Sequence, residues 1–211
     1  MCRLLYVRSE QEFSIAEYLK KFAYISKNSK EYQGHGWGFA YLKDNQWHIY
    51  KNIKPIWEDN FDTFGETTII VAHARSAFQD KDIRVENNMP FSANDIIYVF
   101  NGELHGVKIK EEGRIGAEKI FNFILRFHDN NILGALQKGT EIIEKRSNYI
   151  RAMNIIMADK KQAVLSSLFN EDEEYFTMNV KNDIDKLIIC SDAFPDEDGW
   201  QKIDNRTIKV F

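Results

Sequence analysis

The sequence predicts an α+β fold in which two β-sheets are sandwiched with helices outside. Three observations predict it. Short β-branched and aromatic runs fill the first half and return in the last third, two consecutive segments of helical spacing separate them, and another such segment follows the first strand.

Taken in order, Arg3 to Val7 reads as a strand. Phe13, Ala16, Leu19 and Phe22 or Ala23 then recur at helical spacing, which predicts a helix over roughly Gln11 to Ser26, ending in SKNSK. GWGFAYL and QWHIYKNI, separated by KDN, form a hairpin. TTIIVAHA and DIIYVFNG are apolar on both faces and are assigned to one buried sheet. The second of them runs into a tight FNGELHG corner and a short run through Val107 and Ile109. Glu118 to Phe127 and Ile132 to Ile143 are helices either side of the polar break DNN, and strands follow at AMNIIMAD, QAVLSSLF, YFTMNV, KLIICSD and TIKVF. With three prolines and no Ser/Gly-rich linker, one domain over residues 1–211 is expected.

Composition narrows the function. A chain of 211 residues, 44% apolar and 28% charged, holds a sizeable core and one catalytic unit but not an attached synthase. The net charge is -4 and the basic residues are scattered among acidic ones, which argues against nucleic acid as a partner. MCRLLYVRSE is too short in its apolar run for a secretory signal and no stretch is long enough to span a bilayer, so a cytoplasmic protein with no membrane partner is expected. Two cysteines make neither a disulfide framework nor a cysteine zinc site, and the five histidines lack H-x-x-x-H spacing, so neither metal nor cofactor is predicted. Cys190, in LIIC, reads as a buried structural thiol.

Four features carry chemistry. Cys2 follows the initiator methionine, and its small side chain permits removal of Met1, leaving a thiol and a free amine on one residue. An α-amino group with a pKa near 7.7–8.0 can take the proton of a thiol near 8.5. The plainer reading is a small residue at position two. His73-Ala74-Arg75-Ser76-Ala77 stands where a buried strand emerges, and a guanidinium there suits bidentate capture of a carboxylate. Taken singly, Arg75 is more often a surface ion pair and His73 a core histidine. Asn101-Gly102 is first of all a hairpin turn, yet it also offers a side-chain amide and an open N–H that can hold an oxyanion. Gly34, Gly36 and Gly38 alternate into a strand and let other backbone come close.

In this order MCRLLYV, HGWGFAYL, VAHARSA, NNMPF, FNGELHG, AMNIIMAD and ICSD with Trp200 beyond it resemble the small stand-alone class-II glutamine amidotransferases, and the match runs from Cys2 to Trp200. The resemblance implies the four-layer αββα sandwich of the N-terminal-nucleophile hydrolases, with a mature chain starting at Cys2. It implies Cys2 as nucleophile with its own amine as base, Arg75 as clamp for the substrate α-carboxylate with His73 and Ser76 beside it, and Asn101 with Gly102 as oxyanion hole. The expected reaction is attack on the side-chain amide of glutamine or a γ-glutamyl compound, giving a thioester on Cys2, ammonia or an amine, and then glutamate. A separate synthase subunit would accept the ammonia.

The sequence departs from the family where a Thr/Ser-Asp-Ser-Glu run normally opens the helix after Asn-Gly. Here the run is Ile115-Gly116-Ala117-Glu118, which puts Gly116 in place of the aspartate that binds the α-amino group. A charged partner of about 1.5–3 kcal/mol is thereby missing. Phe78 and Met89 replace a small polar residue and a histidine, making the expected cleft more apolar. Three readings stay open: an amide other than glutamine, glutamine bound weakly until a partner closes the loop, and a non-catalytic binding or regulatory subunit.

Overall fold

The computed structural model describes residues 1–211, the side chain of Asp80 excepted. Strands β1 (Arg3–Ser14), β2 (Trp37–Lys43), β3 (Gln46–Asn52), β4 (Glu66–Ala74), β9 (Asn179–Asn182), β10 (Lys186–Cys190) and β11 (Gln201–Lys202) form a seven-stranded sheet in the order β11-β9-β10-β1-β4-β2-β3. Strands β5 (Phe91–Ala93), β6 (Ile96–His105), β7 (Tyr149–Ala158), β8 (Ala163–Ser167) and β12 (Thr207–Val210) form a five-stranded sheet in the order β12-β8-β7-β6-β5.

Alternation along the strands decides what each face meets. In β1, Leu5 and Val7 pack with Ile15, Leu19 and Phe22 of helix α1 (Ile15–Lys27), while Leu4 and Tyr6 join Ile69 and Val71 of β4 in the core that the two sheets share. The far face of the smaller sheet is covered by α2 (Gly116–Leu125) and α3 (Ile132–Lys145), with Tyr98 stacked on Phe121 at 4.7 Å. The layers are therefore helix, sheet, sheet, helix, with β6 crossing over β1 and β4 between them. A one-turn helix, α4 (Glu173–Phe176), leads into β9.

Five expectations change. Helix α1 starts at Ile15, because residues 10–14 stay in β1: the ladder resumes at Phe13–Thr67 and Ser14–Glu66 after a bulge, and the Ile15 N–H is bonded to Gly65 O at 3.0 Å. TTIIVAHA and DIIYVFNG lie in opposite sheets; both are apolar on two faces because each is covered by helices on one side and by the other sheet on the other. Asn101-Gly102 is not a corner. It runs mid-strand opposite Asn154 and Met153, and neither residue has the positive φ that an Asn-Gly hairpin turn requires. YFTMNV is split, its first two residues closing α4 before β9 begins at Asn179, and no strand forms at Val107 to Ile109.

Candidate active site

Antiparallel pairing of β1 with β4 sets Arg3 opposite Ala74 and Leu4 opposite His73, so Cys2 and Arg75 leave the sheet side by side. The Cys2 thiol is buried and donates to Ser76 O at 3.6 Å. Burial pushes its pKa up, opposed by the chain's N-terminal ammonium, the Ser76 contact and Arg75, so it rests as a thiol and needs a base.

The glycine-rich segment before β2 sets the Arg75 backbone. The Arg75 N–H donates to Gly36 O at 2.9 Å, the His35 N–H donates to Arg75 O at 3.1 Å, and the Ala77 N–H donates to His35 Nδ1 at 2.9 Å. The guanidinium, almost fully buried, donates to Asp82 O at 3.0 Å, Arg84 O at 3.5 Å and Asn88 Oδ1 at 3.2 Å. Asn88 is itself pinned by its Nδ2 donating to Asn52 O at 2.8 Å. Gly36 must be glycine on two counts: its φ is +103°, and a Cβ would lie 2.2 Å from Asn88 Nδ2. Among the described residues Arg75's hydrogen-bond acceptors are all neutral, which leaves its positive charge available to an anion.

Leu4, His73, Gly38 and Lys51 form one row across the larger sheet. His73 is fully buried, its ring against the Phe100 main chain but with no full hydrogen bond at either nitrogen among the described residues. Burial first, then the charges of Arg75 and Lys51, bring its pKa down to about 3, so it is neutral and neither acid nor base near pH 7. Burial and Arg114 lower Lys51 to about 8; its ammonium lies 5.2 Å from the centre of the Phe91 ring.

Asn101 belongs to the facing sheet. It is completely buried, and neither its Nδ2 nor its Oδ1 has a partner among the described residues. Its cross-strand neighbour Asn154 is satisfied by contrast, donating to Phe176 O at 2.7 Å and accepting from Leu168 N at 3.2 Å. Gly102 has a packing reason to lack a side chain, since a Cβ would meet Ala152 O at 2.2 Å.

Met1 is held on three sides by residues that sequence reasoning missed. Its ammonium is ion-paired with Glu31, its carbonyl accepts from Gln33 Nε2 and, at 2.6 Å, from the Tyr175 hydroxyl, and its side chain packs against Ala152, Phe169, Tyr175 and Phe176. Burial alone would push the Glu31 carboxyl up, but the hydrogen bond and charge of the Met1 ammonium, with Arg151, hold it below its usual value. These residues come from separate stretches of chain, so no spacing in the sequence connects them.

Gly116 opens α2, and a Cβ there would meet nothing within 4 Å. The Glu118 carboxylate is taken by Arg114, whose guanidinium binds both of its oxygens and whose backbone N–H adds a further bond at 2.6 Å. Met89 is buried in the core between the sheets, whereas Phe78 is 56% exposed and packs edge-on to His105 at 5.7 Å, so only Met89 adds apolar surface inside. Among the described residues no three His, Cys, Asp or Glu side chains converge as metal ligands, and no helix is long and apolar enough to cross a membrane. Burial pushes the Cys190 thiol up to about 12, in keeping with a structural role.

No protein-family model and no curated protein sequence matches the chain. Solved structures do. A glutamine aminotransferase class-II domain protein from Silicibacter pomeroyi superposes with a TM-score of 0.68 at 12% identity, over 99% of this chain and 94% of that one. A protein from Pseudomonas aeruginosa, described as a predicted glutamine amidotransferase, superposes with a TM-score of 0.61 at 13% identity, over 100% and 97%. The glutamine phosphoribosylpyrophosphate amidotransferase of B. subtilis gives 0.65 at 13% identity over 90% of this chain, which spans only 42% of that enzyme. The chain therefore has the fold of the class-II glutamine amidotransferase domains, the four-layer sandwich of N-terminal-nucleophile hydrolase type.

Proposed function

We propose that the protein, as one domain over residues 1–211 acting in the cytoplasm, is an N-terminal-cysteine amidohydrolase for the side-chain amide of glutamine or of a γ-glutamyl compound. After Met1 is removed, the Cys2 amine takes the thiol proton and the sulfur attacks the γ-carbonyl carbon. Arg75, with Ser76 and His73 beside it, orients the substrate by its α-carboxylate; the Asn101 amide and Gly102 receive the developing oxyanion. The proton held by the Cys2 amine passes to the departing nitrogen, ammonia or an amine leaves, and water cleaves the thioester to release glutamate. Where ammonia is the product, its acceptor sits on a separate synthase subunit.

The observation that carries this reading is Asn101. A completely buried amide without a protein partner costs about 1–3 kcal/mol, and an incoming oxyanion would supply the partner that this one lacks. Two contacts of its strand neighbours support the reading: the Phe100 main chain lies against His73, and Glu103 bonds Arg151 at 3.4 Å, which bonds Glu31 at 3.1 Å. The test is the intact mass before and after incubation with a diazo-ketone analogue of glutamine, with Cys2→Ala as control. Loss of Met1 and one adduct, absent from Cys2→Ala, is expected. A generic thiol reagent labelling Cys2 while the analogue does not would overturn glutamine-shaped recognition.

A further inference from the structure

We infer that the space filled by Met1 becomes, once Met1 is removed, the subsite for the amine half of the substrate, and that this amine carries an apolar body ending in a cation. The inference rests on the Cys2 reading above and names the substrate class for it.

The geometry starts from the proton. The Cys2 nitrogen that must protonate the leaving group is the nitrogen now bonded to the Met1 carbonyl carbon. A leaving nitrogen within hydrogen-bond reach of it, about 3 Å, and the group attached to that nitrogen therefore run into the volume that Met1 vacates. In the step itself, sulfur bonds the γ-carbon, the C–N bond breaks, and the former thiol proton passes through the Cys2 amine to the departing nitrogen. The free amine is released and the acyl thioester remains for water to cleave.

That volume is built for more than ammonia. Its wall is apolar, made by Ala152, Phe169, Tyr175 and Phe176. At its polar end Gln33 is completely buried, with Nε2 and the Tyr175 hydroxyl reaching Met1 O and with Oε1 lacking a partner among the described residues, an acceptor suited to an amide N–H. Beyond it stands Glu31, held by Arg151 at 3.1 Å; Arg151 also bonds Glu103 and Asp172, Lys30 lies 3.7 Å from Asp172, and His105 lies 2.7 Å from Glu103. Removing the Met1 ammonium leaves three carboxylates, Glu31, Glu103 and Asp172, facing two permanent cations, Arg151 and Lys30. With the new Cys2 amine in the neutral form that acts as base, the pocket carries one uncompensated negative charge at the end of an apolar wall. Methionine with its ammonium is the occupant on view, and an amine of the same character is the substrate portion that replaces it.

The test uses Met1-free protein, verified by mass, and two probes: the γ-glutamyl amide of a linear diamine and that of the isosteric alkylamine. The expected result is a kcat/KM ratio favouring the diamine amide on the order of tenfold. The ratio falls towards one in Glu31→Gln and, on the unmodified protein, falls as salt is added; the salt series decides the matter if Glu31→Gln does not fold. A ratio near one, or one that neither Glu31→Gln nor salt changes, overturns the subsite when the diazo-ketone still labels Cys2. If Cys2 is not labelled and neither amide is cleaved, the nucleophile reading fails first and the subsite falls with it.

Discussion

Replacing Asn101 with leucine, nearly its isostere, should make the protein more stable and less active together. In the free protein the Asn101 amide is completely buried with neither polar atom partnered, so folding removes it from water without return. Such a group costs about 1–3 kcal/mol, and an apolar side chain of the same shape recovers most of that. For a chain of this length about 1 kcal/mol moves the melting temperature by roughly 2–4 °C, so Asn101→Leu should melt about 2–10 °C higher. Its urea midpoint should rise at unchanged slope. Turnover, followed as glutamate release, should fall about 10²- to 10³-fold because one oxyanion donor is gone. A variant that melts lower would mean that the amide supports the fold. A variant that melts higher but keeps its turnover would remove Asn101 from the chemistry.

Three further outcomes test other parts of the site. Arg75→Lys keeps the charge but loses the planar fork, so KM should rise about 10- to 100-fold with kcat changed far less; an equal fall in kcat would make Arg75 a transition-state group instead. Gly116→Asp should fold normally, since nothing lies within 4 Å of the added Cβ, and should lower KM for glutamine by about 10- to 100-fold; an unchanged KM would show that the α-amino group is bound elsewhere. His73 has a folded pKa near 3 against about 6.5 unfolded, so between those values the unfolded chain binds the extra proton and stability falls with falling pH. Below about pH 6.5, the unfolding free energy of the native protein should therefore drop relative to His73→Phe by up to about 1.4 kcal/mol per pH unit, and parallel curves would refute the buried neutral ring.

The architecture was legible where patterning acts locally. The two helical repeats before Tyr149 and the β2–β3 hairpin need only nearby residues, and they lie where the spacing puts them. The sheet partners were not, because an apolar run such as TTIIVAHA says that both faces are covered without saying by what. Asn101-Gly102 misled for a physical reason: the dipeptide is a turn signal, but β7 continues opposite it and pairing with Asn154 and Met153 prevails over local turn preference. At the site, Cys2 and Arg75 were visible as residue types, and the strand register sets them side by side. Gln33, Glu31 and Tyr175 were invisible, since each acts through an approach from distant sequence and shows no periodicity of its own; Asn88 stood in the NNMPF motif, but its bond to Arg75 could not be read there.

The placement of β1 has a consequence for timing during synthesis. Its neighbours are β4 and β10, the latter made of residues 186–190, so β1 finds its second partner only after most of the described residues have been made. Until then one edge of β1 is unpaired and the clasp around residue 1, which needs Tyr175, is incomplete. Afterwards the Met1 carbonyl is clasped by Gln33 and Tyr175 and its side chain is packed away. If Cys2 is the nucleophile proposed above, trimming is a race against closure of the sheet, and a chain that folds before it is trimmed locks its own base away as a peptide nitrogen.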